Sequence, residues 1–143
     1  MAITKIRVIL DTNWYVSATI NKNSRRKLYE LLTNQNLIIL FSVQILNDYK
    51  LVIARDKFKK VIKTQQIERF IGLVLSKIES IEVKSDLEGS RDIKDNFLLS
   101  LSFDSNADYL ITGDIDLLVL EKTGSTQILT FHEFSKIISH KVQ

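Results

Sequence analysis

Apolar residues along this chain form short continuous runs, separated by stretches in which they recur every three or four positions. The first run, Ile6–Leu10, is interrupted only by Arg7 and reads as a buried strand. Leu28, Leu31 and Leu32 follow at helical spacing within 24–33. Leu37–Phe41 is a second strand-like run. Ser42 then offers an N-cap for a helix with Ile45, Leu46, Tyr49, Val52 and Ile53 on one side. Thr64 opens a longer amphipathic helix through Ile67, Phe70, Ile71, Val74, Leu75 and Ile78, and 81–83 is a third, brief strand. Gly89 and Ser90 mark a loop before a helix that starts near Asp92 and carries Phe97, Leu98, Leu101 and Ser102. A strand over 109–112 follows, with Gly113 expected to supply a tight turn, then a short helix over 117–120 and a last strand, Thr126–Leu129. Thr130-Phe131-His132-Glu133 is a capping box, which places His132 on the surface of a first helical turn. Strands alternating with helices imply right-handed crossovers, a mostly parallel sheet and helices on both of its faces.

Acidic residues sit at informative places in this pattern. Asp11 ends the first strand, and Asp114 and Asp116 follow the 109–112 strand through Gly113. Open parallel sheets bind ligands just outside the carboxyl ends of their strands. Asp48 lies inside a predicted helix, three residues from Ile45 and four from Val52, beside the apolar stripe rather than opposite it. Asp92 and Asp95 are three apart at a helix start, where a cap needs only one of them. Some of these positions also have a structural explanation: a cap or Asx turn for Asp11, Asp92 and either Asp114 or Asp116, which accounts less completely for Asp95 and not for Asp48. Carboxylates that converge repel one another unless a cation neutralises them, and an all-oxygen cluster suits a hard ion such as Mg²⁺ or Mn²⁺.

Composition narrows the alternatives. The chain has 143 residues, 45% of them hydrophobic, enough for one domain with its own core, expected over 1–143. It has no Cys, which excludes disulfides, thiolate metal sites and a cysteine nucleophile. Its two histidines are too few for a His-rich metal site. The amino end, MAITKIRVILDTN, holds an apolar run too short for a signal peptide or a membrane span, so the expected location is cytoplasmic. The net charge of +3 is unevenly spread, with Arg25, Arg26 and Lys27 in one group and Arg55, Lys57, Lys59, Lys60 and Lys63 in another. Such groups are either solvated helix faces or contacts for a phosphate backbone. Acidic strand ends within a basic surface are what a metal-dependent enzyme acting on nucleic acid requires.

The ordered segments VILDTNWYVSA, SVQILNDYKLVI, DIKDNFLLSLS, ADYLITGDIDLL and ILTFHEF resemble PIN-domain proteins, and within them the VapC-like toxins of toxin–antitoxin pairs. The resemblance implies an α/β three-layer sandwich with a five-stranded, mostly parallel sheet, and a metal-dependent ribonuclease. It implies catalytic roles for Asp11, Asp48, Asp95 and Asp114, and Mg²⁺ or Mn²⁺ held by Asp11, Asp95, Asp114 and Asp116. Thr12, Asn13, Asn96 and Thr112 match polar positions that bond to the carboxylates, and Asp92 matches an acid of the branch with an Asp-x-x-Asp-Asn motif. Asp48 stands where the family usually has Glu and is one methylene shorter. RNA as substrate, an antitoxin protein and a homodimer are the implied partners. Arg25, Arg26, Lys57, Lys59, Lys60 and Lys63 are the candidates for holding RNA. A receiver-type phosphoacceptor is disfavoured, since Ile9 and Leu10, not a second acid, precede Asp11 and no Lys follows the last strand. A catalytically weak or inactive module with the same fold, binding protein or RNA, is the remaining alternative.

Overall fold

The structure, a computed structural model, describes residues 4–141. The first three residues of the amino-end segment and the last two of the expected 1–143 domain lie outside the described residues. In chain order the elements are β1 (Ile6–Leu10), α1 (Thr12–Ile20), α2 (Lys22–Thr33), β2 (Leu37–Phe41), α3 (Val43–Ile53), α4 (Asp56–Lys59) and α5 (Thr64–Leu75). Then come β3 (Glu79–Ser80), a 3₁₀ turn (Ile93–Asp95), α6 (Asn96–Ser105), β4 (Tyr109–Ile111), α7 (Ile115–Leu118), β5 (Lys122–Thr123), β6 (Thr126–Leu129) and α8 (Phe131–Lys141).

The strands form one sheet in the order β3-β2-β1-β4-β6-β5, parallel throughout except for the β5–β6 hairpin. This is the expected α/β sandwich, with six strands rather than five. The extra strand, β5, is two residues long and turns into β6 at Gly124, whose φ of 57° suits glycine. The third strand also differs from expectation. It is Glu79–Ser80, not 81–83, because the chain leaves the sheet after the Ile81 N–H donates to the Phe41 carbonyl (2.8 Å). The chain runs from β1 through β2 to β3 at one edge and returns through α6 to β4, which pairs with the other side of β1.

Burial explains the elements. Val8, Ile9, Leu10, Leu40, Leu110 and Ile111 are fully shielded in the central strands, as continuous apolar runs in a two-sided parallel sheet should be. Ser42 accepts from the Ile45 amide (3.4 Å) and starts α3 where expected. At α8, Thr130 Oγ1 accepts from the Glu133 amide (3.2 Å) while Glu133 Oε1 accepts from the Thr130 amide (3.1 Å), the reciprocal bonds of the capping box. His132 is exposed on that first turn. Gly113 corrects an expectation: it is absent from the glycines with positive φ, so the turn after β4 does not require glycine. The turn helix begins at Ile115, two residues before the expected 117–120.

The 81–92 segment has no regular structure but is fastened to α6. Asp104 Oδ2 accepts from the amides of Lys84 (2.6 Å) and Ser85 (2.8 Å), and Ser100 Oγ accepts from Leu87 (2.9 Å). Asn96 Oδ1 accepts from the Ser90 amide (3.0 Å). These bonds lock the approach to the 3₁₀ turn, and so the positions of Asp92 and Asp95.

Candidate active site

β1 and β4 are neighbours from which the chain departs in opposite directions, so the crevice at their carboxyl ends is the topological switch point of the sheet. Leu10 pairs with Ile111, and the Asp11 amide donates to the Ile111 carbonyl (3.3 Å). That register sets Asp11 beside Thr112 although they are 101 residues apart. The Asp114 amide donates to Thr112 Oγ1 (3.0 Å), which leaves the single hydroxyl proton of Thr112 to donate to Asp11 Oδ2. One threonine thereby joins the two strand ends and fixes the Asp11 carboxylate.

Asp11 occupies the N-cap position of α1, but its side chain makes no cap bond. It is 5% exposed, and Oδ1 is buried without a hydrogen-bond partner. Burial raises its pKa from 3.8 to about 6. The Thr112 hydroxyl and the amides of Trp14 and Asn13 oppose the rise, and the Asp114 charge adds to it. Asp95, at the start of α6, also makes no side-chain cap bond, because Asp92 caps the 3₁₀ turn by accepting from the Lys94 amide (3.1 Å). Asp95 Oδ2 is buried and unpartnered apart from the adjoining Asp114 carboxylate, to which only a shared proton could bond it. Its pKa is pushed up to about 7, first by desolvation, then by Asp114 and by the charges of Asp92 and Asp11.

The other candidates are placed differently. Asp114 caps α7, with Oδ1 accepting from the Asp116 amide (2.9 Å). Asp116 is ion-paired with Arg91 of the fastened loop (2.9 Å). Asp48 is half-buried on α3. Thr12 Oγ1 is buried and unbonded, Asn13 is exposed, and Asn96 spends its amide oxygen on Ser90 rather than on a carboxylate. Among the basic residues, Arg25 donates to the carbonyls of Ala18 (2.9 Å) and Thr19 (3.1 Å), so much of its donor capacity closes the end of α1. Lys57, Lys59, Lys60 and Lys63 are exposed on and beside α4, and Arg26 is exposed on α2. Arg91 carried no signal in the sequence: its partner lies 25 residues away.

Nearly all buried polar atoms in native folds are hydrogen-bonded. Three of the five buried side-chain atoms without a partner among the described residues belong to Asp11, Thr12 and Asp95. Buried, unpaired carboxylate oxygens on two acids with raised pKa values, the charge of Asp11 adding to the rise at Asp95, are what a hard cation would relieve, and the donors are of the right chemistry for one. Among the described residues no three acids are yet drawn around a single point. Repulsion between unneutralised carboxylates opposes such closure.

The PIN-domain family model matches residues 7–116, from β1 through the first turn of α7. The chain belongs to the PIN-domain family, whose members are generally nucleases that use divalent metal ions. It is 30% identical over 121 residues to MJ1680, an uncharacterized protein of Methanocaldococcus jannaschii, a match covering 81% of this chain and 76% of that one. Two crystal structures share the fold. One is VapBC2 from Rickettsia felis bound to a DNA fragment from its promoter (TM-score 0.57, 20% identity, 86% of this chain and 97% of that one). The other is PAE2754 from Pyrobaculum aerophilum (TM-score 0.60, 15% identity, 94% and 90%). At such identities the likeness is one of fold. No helix among the described residues is long and apolar enough to cross a membrane.

Proposed function

We propose that this chain is a divalent-metal-dependent endoribonuclease, with Mg²⁺ or Mn²⁺ as its cofactor, and the toxin of a VapC-like toxin–antitoxin pair. One observation carries the reading: Asp11 Oδ1 and Asp95 Oδ2 are buried, unpartnered carboxylate oxygens at the switch point of the sheet, in electrostatic contact with Asp114. Asp11, Asp95 and Asp114 would hold the ion. When bound it would activate water and stabilise charge developing on the phosphate and leaving oxygen. Thr112 keeps Asp11 oriented, and Arg91 holds Asp116 at the edge of the site. Near neutral pH the raised carboxyls of Asp11 and Asp95 release protons as a cation binds, so affinity rises with pH. The lysines of and around α4 would hold the phosphate backbone without reading sequence. Single-stranded or looped RNA is the favoured substrate, because a recessed acidic site reaches a regular duplex poorly. The VapBC2 likeness supports an antitoxin partner, and dimerisation would follow the family resemblance.

The test is cleavage of defined single-stranded RNAs in Mg²⁺, Mn²⁺ and EDTA. Metal-dependent cutting is expected, and Asp95→Asn should slow it at least about 100-fold. Cleavage that persists in EDTA or survives that substitution refutes the assignment. A second reading, a binding module that keeps the fold without catalysis, is favoured by the Arg91–Asp116 pair and by the shortened side chain at Asp48. Manganese titration separates the two, since such a module binds the ion weakly.

A further inference from the structure

An open hollow of about 430 Å³ adjoins the acid cluster, its lining including Asp11, Gly113, Trp14, Lys27 and Phe131. Its size lies in the range of small-ligand clefts, roughly 300–1,000 Å³. Trp14 projects from α1 and Phe131 from the start of α8. Their rings meet edge to face, with centroids 5.2 Å apart at 64°. In such a pair the edge of one ring meets the face of the other, and Lys27 Nζ lies over Phe131 at 5.6 Å from its centroid. Trp14 is half-buried although its neighbours in the hollow, Asn13 and Ser17, are exposed, so the indole is braced on the core while lining an open space. At Gly113 an added Cβ would meet nothing within 4 Å, and the backbone there is open to close approach.

From this arrangement we infer that the hollow is a base-stacking subsite. It receives one nucleobase of single-stranded RNA next to the phosphate at the acid cluster, on Trp14 and Phe131, with Lys27 holding the adjoining phosphate. The inference rests on the ribonuclease reading for its substrate class. Three features select this occupant: aromatic faces for a base, a cation for a phosphate, and Asp11 in the wall of the same space. Stacking tolerates any base, so the subsite confers a preference for unpaired nucleotides rather than for sequence.

Trp14 is the only tryptophan in the chain and so serves as its own reporter. The experiment titrates the full chain in EDTA with a short single-stranded RNA and, separately, with an abasic ribose-phosphate chain of equal length, following Trp14 emission. Saturable quenching by the RNA and little by the abasic chain is expected. In metal-loaded cleavage, Trp14→Leu should raise KM about tenfold with kcat within about twofold, and Trp14→Phe should restore most of the loss. Emission indifferent to RNA, or equal quenching by the abasic chain, overturns the subsite. If RNA is nevertheless cut in Mg²⁺ or Mn²⁺, the nuclease reading stands without it. Selective quenching with no cleavage under any metal supports the subsite while removing the nuclease reading.

Discussion

Replacing Asp11 with asparagine isolates the cost of keeping a carboxylate where no protein group neutralises it. The side chain is 5% exposed, and its pKa rises from 3.8 to about 6 on folding. The folded protein therefore holds this proton more tightly than the unfolded chain. Between about pH 4 and pH 6 the native state binds more protons, so the free energy of unfolding falls as pH rises through that window. A shift of about 2 units corresponds to roughly 3 kcal/mol lost by neutral pH, or on the order of 10 °C in Tm for a domain of this size. The substituted asparagine would remain neutral throughout. Its amide oxygen can still accept from Thr112, but its amide hydrogens would lie where Asp11 Oδ1 lacks a partner, a pH-independent cost of about 1–3 kcal/mol.

The offset between the two proteins is therefore uninformative, and its change with pH decides the matter. Urea unfolding in EDTA across pH 4.5 to 8 should show Asp11→Asn gaining on the wild type by about 2 kcal/mol, the part of the shift that falls in this window, nearly all of it below pH 7. Asp95 contributes with the same sign in both proteins and cancels to first order. Adding Mn²⁺ at pH 7.5 should then stabilise the wild type, by about 2.7 kcal/mol at one hundred times the dissociation constant, and leave the variant almost unmoved. A difference constant with pH to within about 0.5 kcal/mol would refute the claim that Asp11 is an uncompensated buried acid, and with it the case for a cation at this position.

Thr112→Val removes the hydroxyl that donates to Asp11 and accepts from Asp114; it should cost about 1–3 kcal/mol at pH 7.5 and shift the acid limb of the cleavage profile to higher pH. An unmoved profile would show that Thr112 does not set the ionisation of Asp11. Asp48→Glu should maintain or raise cleavage by restoring the longer reach, whereas Asp48→Ala should lower it. Wild-type turnover and Mn²⁺ affinity in the Ala variant would make Asp48 structural. Replacing Lys59 and Lys60 together by Ala should weaken RNA binding evenly across sequences and flatten its salt dependence by roughly 0.7 per lost contact, with the saturated rate nearly unchanged. Unaltered affinity at low salt would assign these lysines to a solvated face.

What the sequence disclosed and what it concealed follow from the range over which each signal acts. Buried strands announce themselves locally, and Asp11 and Asp114 were legible because each follows such a run. Helix α1 was not. Thr12, Tyr15, Val16, Ala18 and Thr19 are all buried, so the helix presents apolar and small polar residues without the clean two-sided pattern that periodicity detects. Likewise β5 is two residues long, and no hydrophobic alternation fits in so short a strand. The acids at 92 and 95 show the limit more sharply. Their spacing pointed to Asp92 as the cap and left Asp95 less completely explained; the Lys94 amide does occupy Asp92, and Asp95 Oδ2 stays unpaired beside Asp114. Asp116, expected as a further metal-assisting acid beside Asp114, pairs with Arg91 from the loop fastened by Asn96 and Ser100, a partner its local sequence did not indicate. Residue type and strand position thus propose where carboxylates gather. Which of them stay uncompensated, and so available to a cation, depends on partners brought from 25 to 101 residues away, and that is a property of the fold alone.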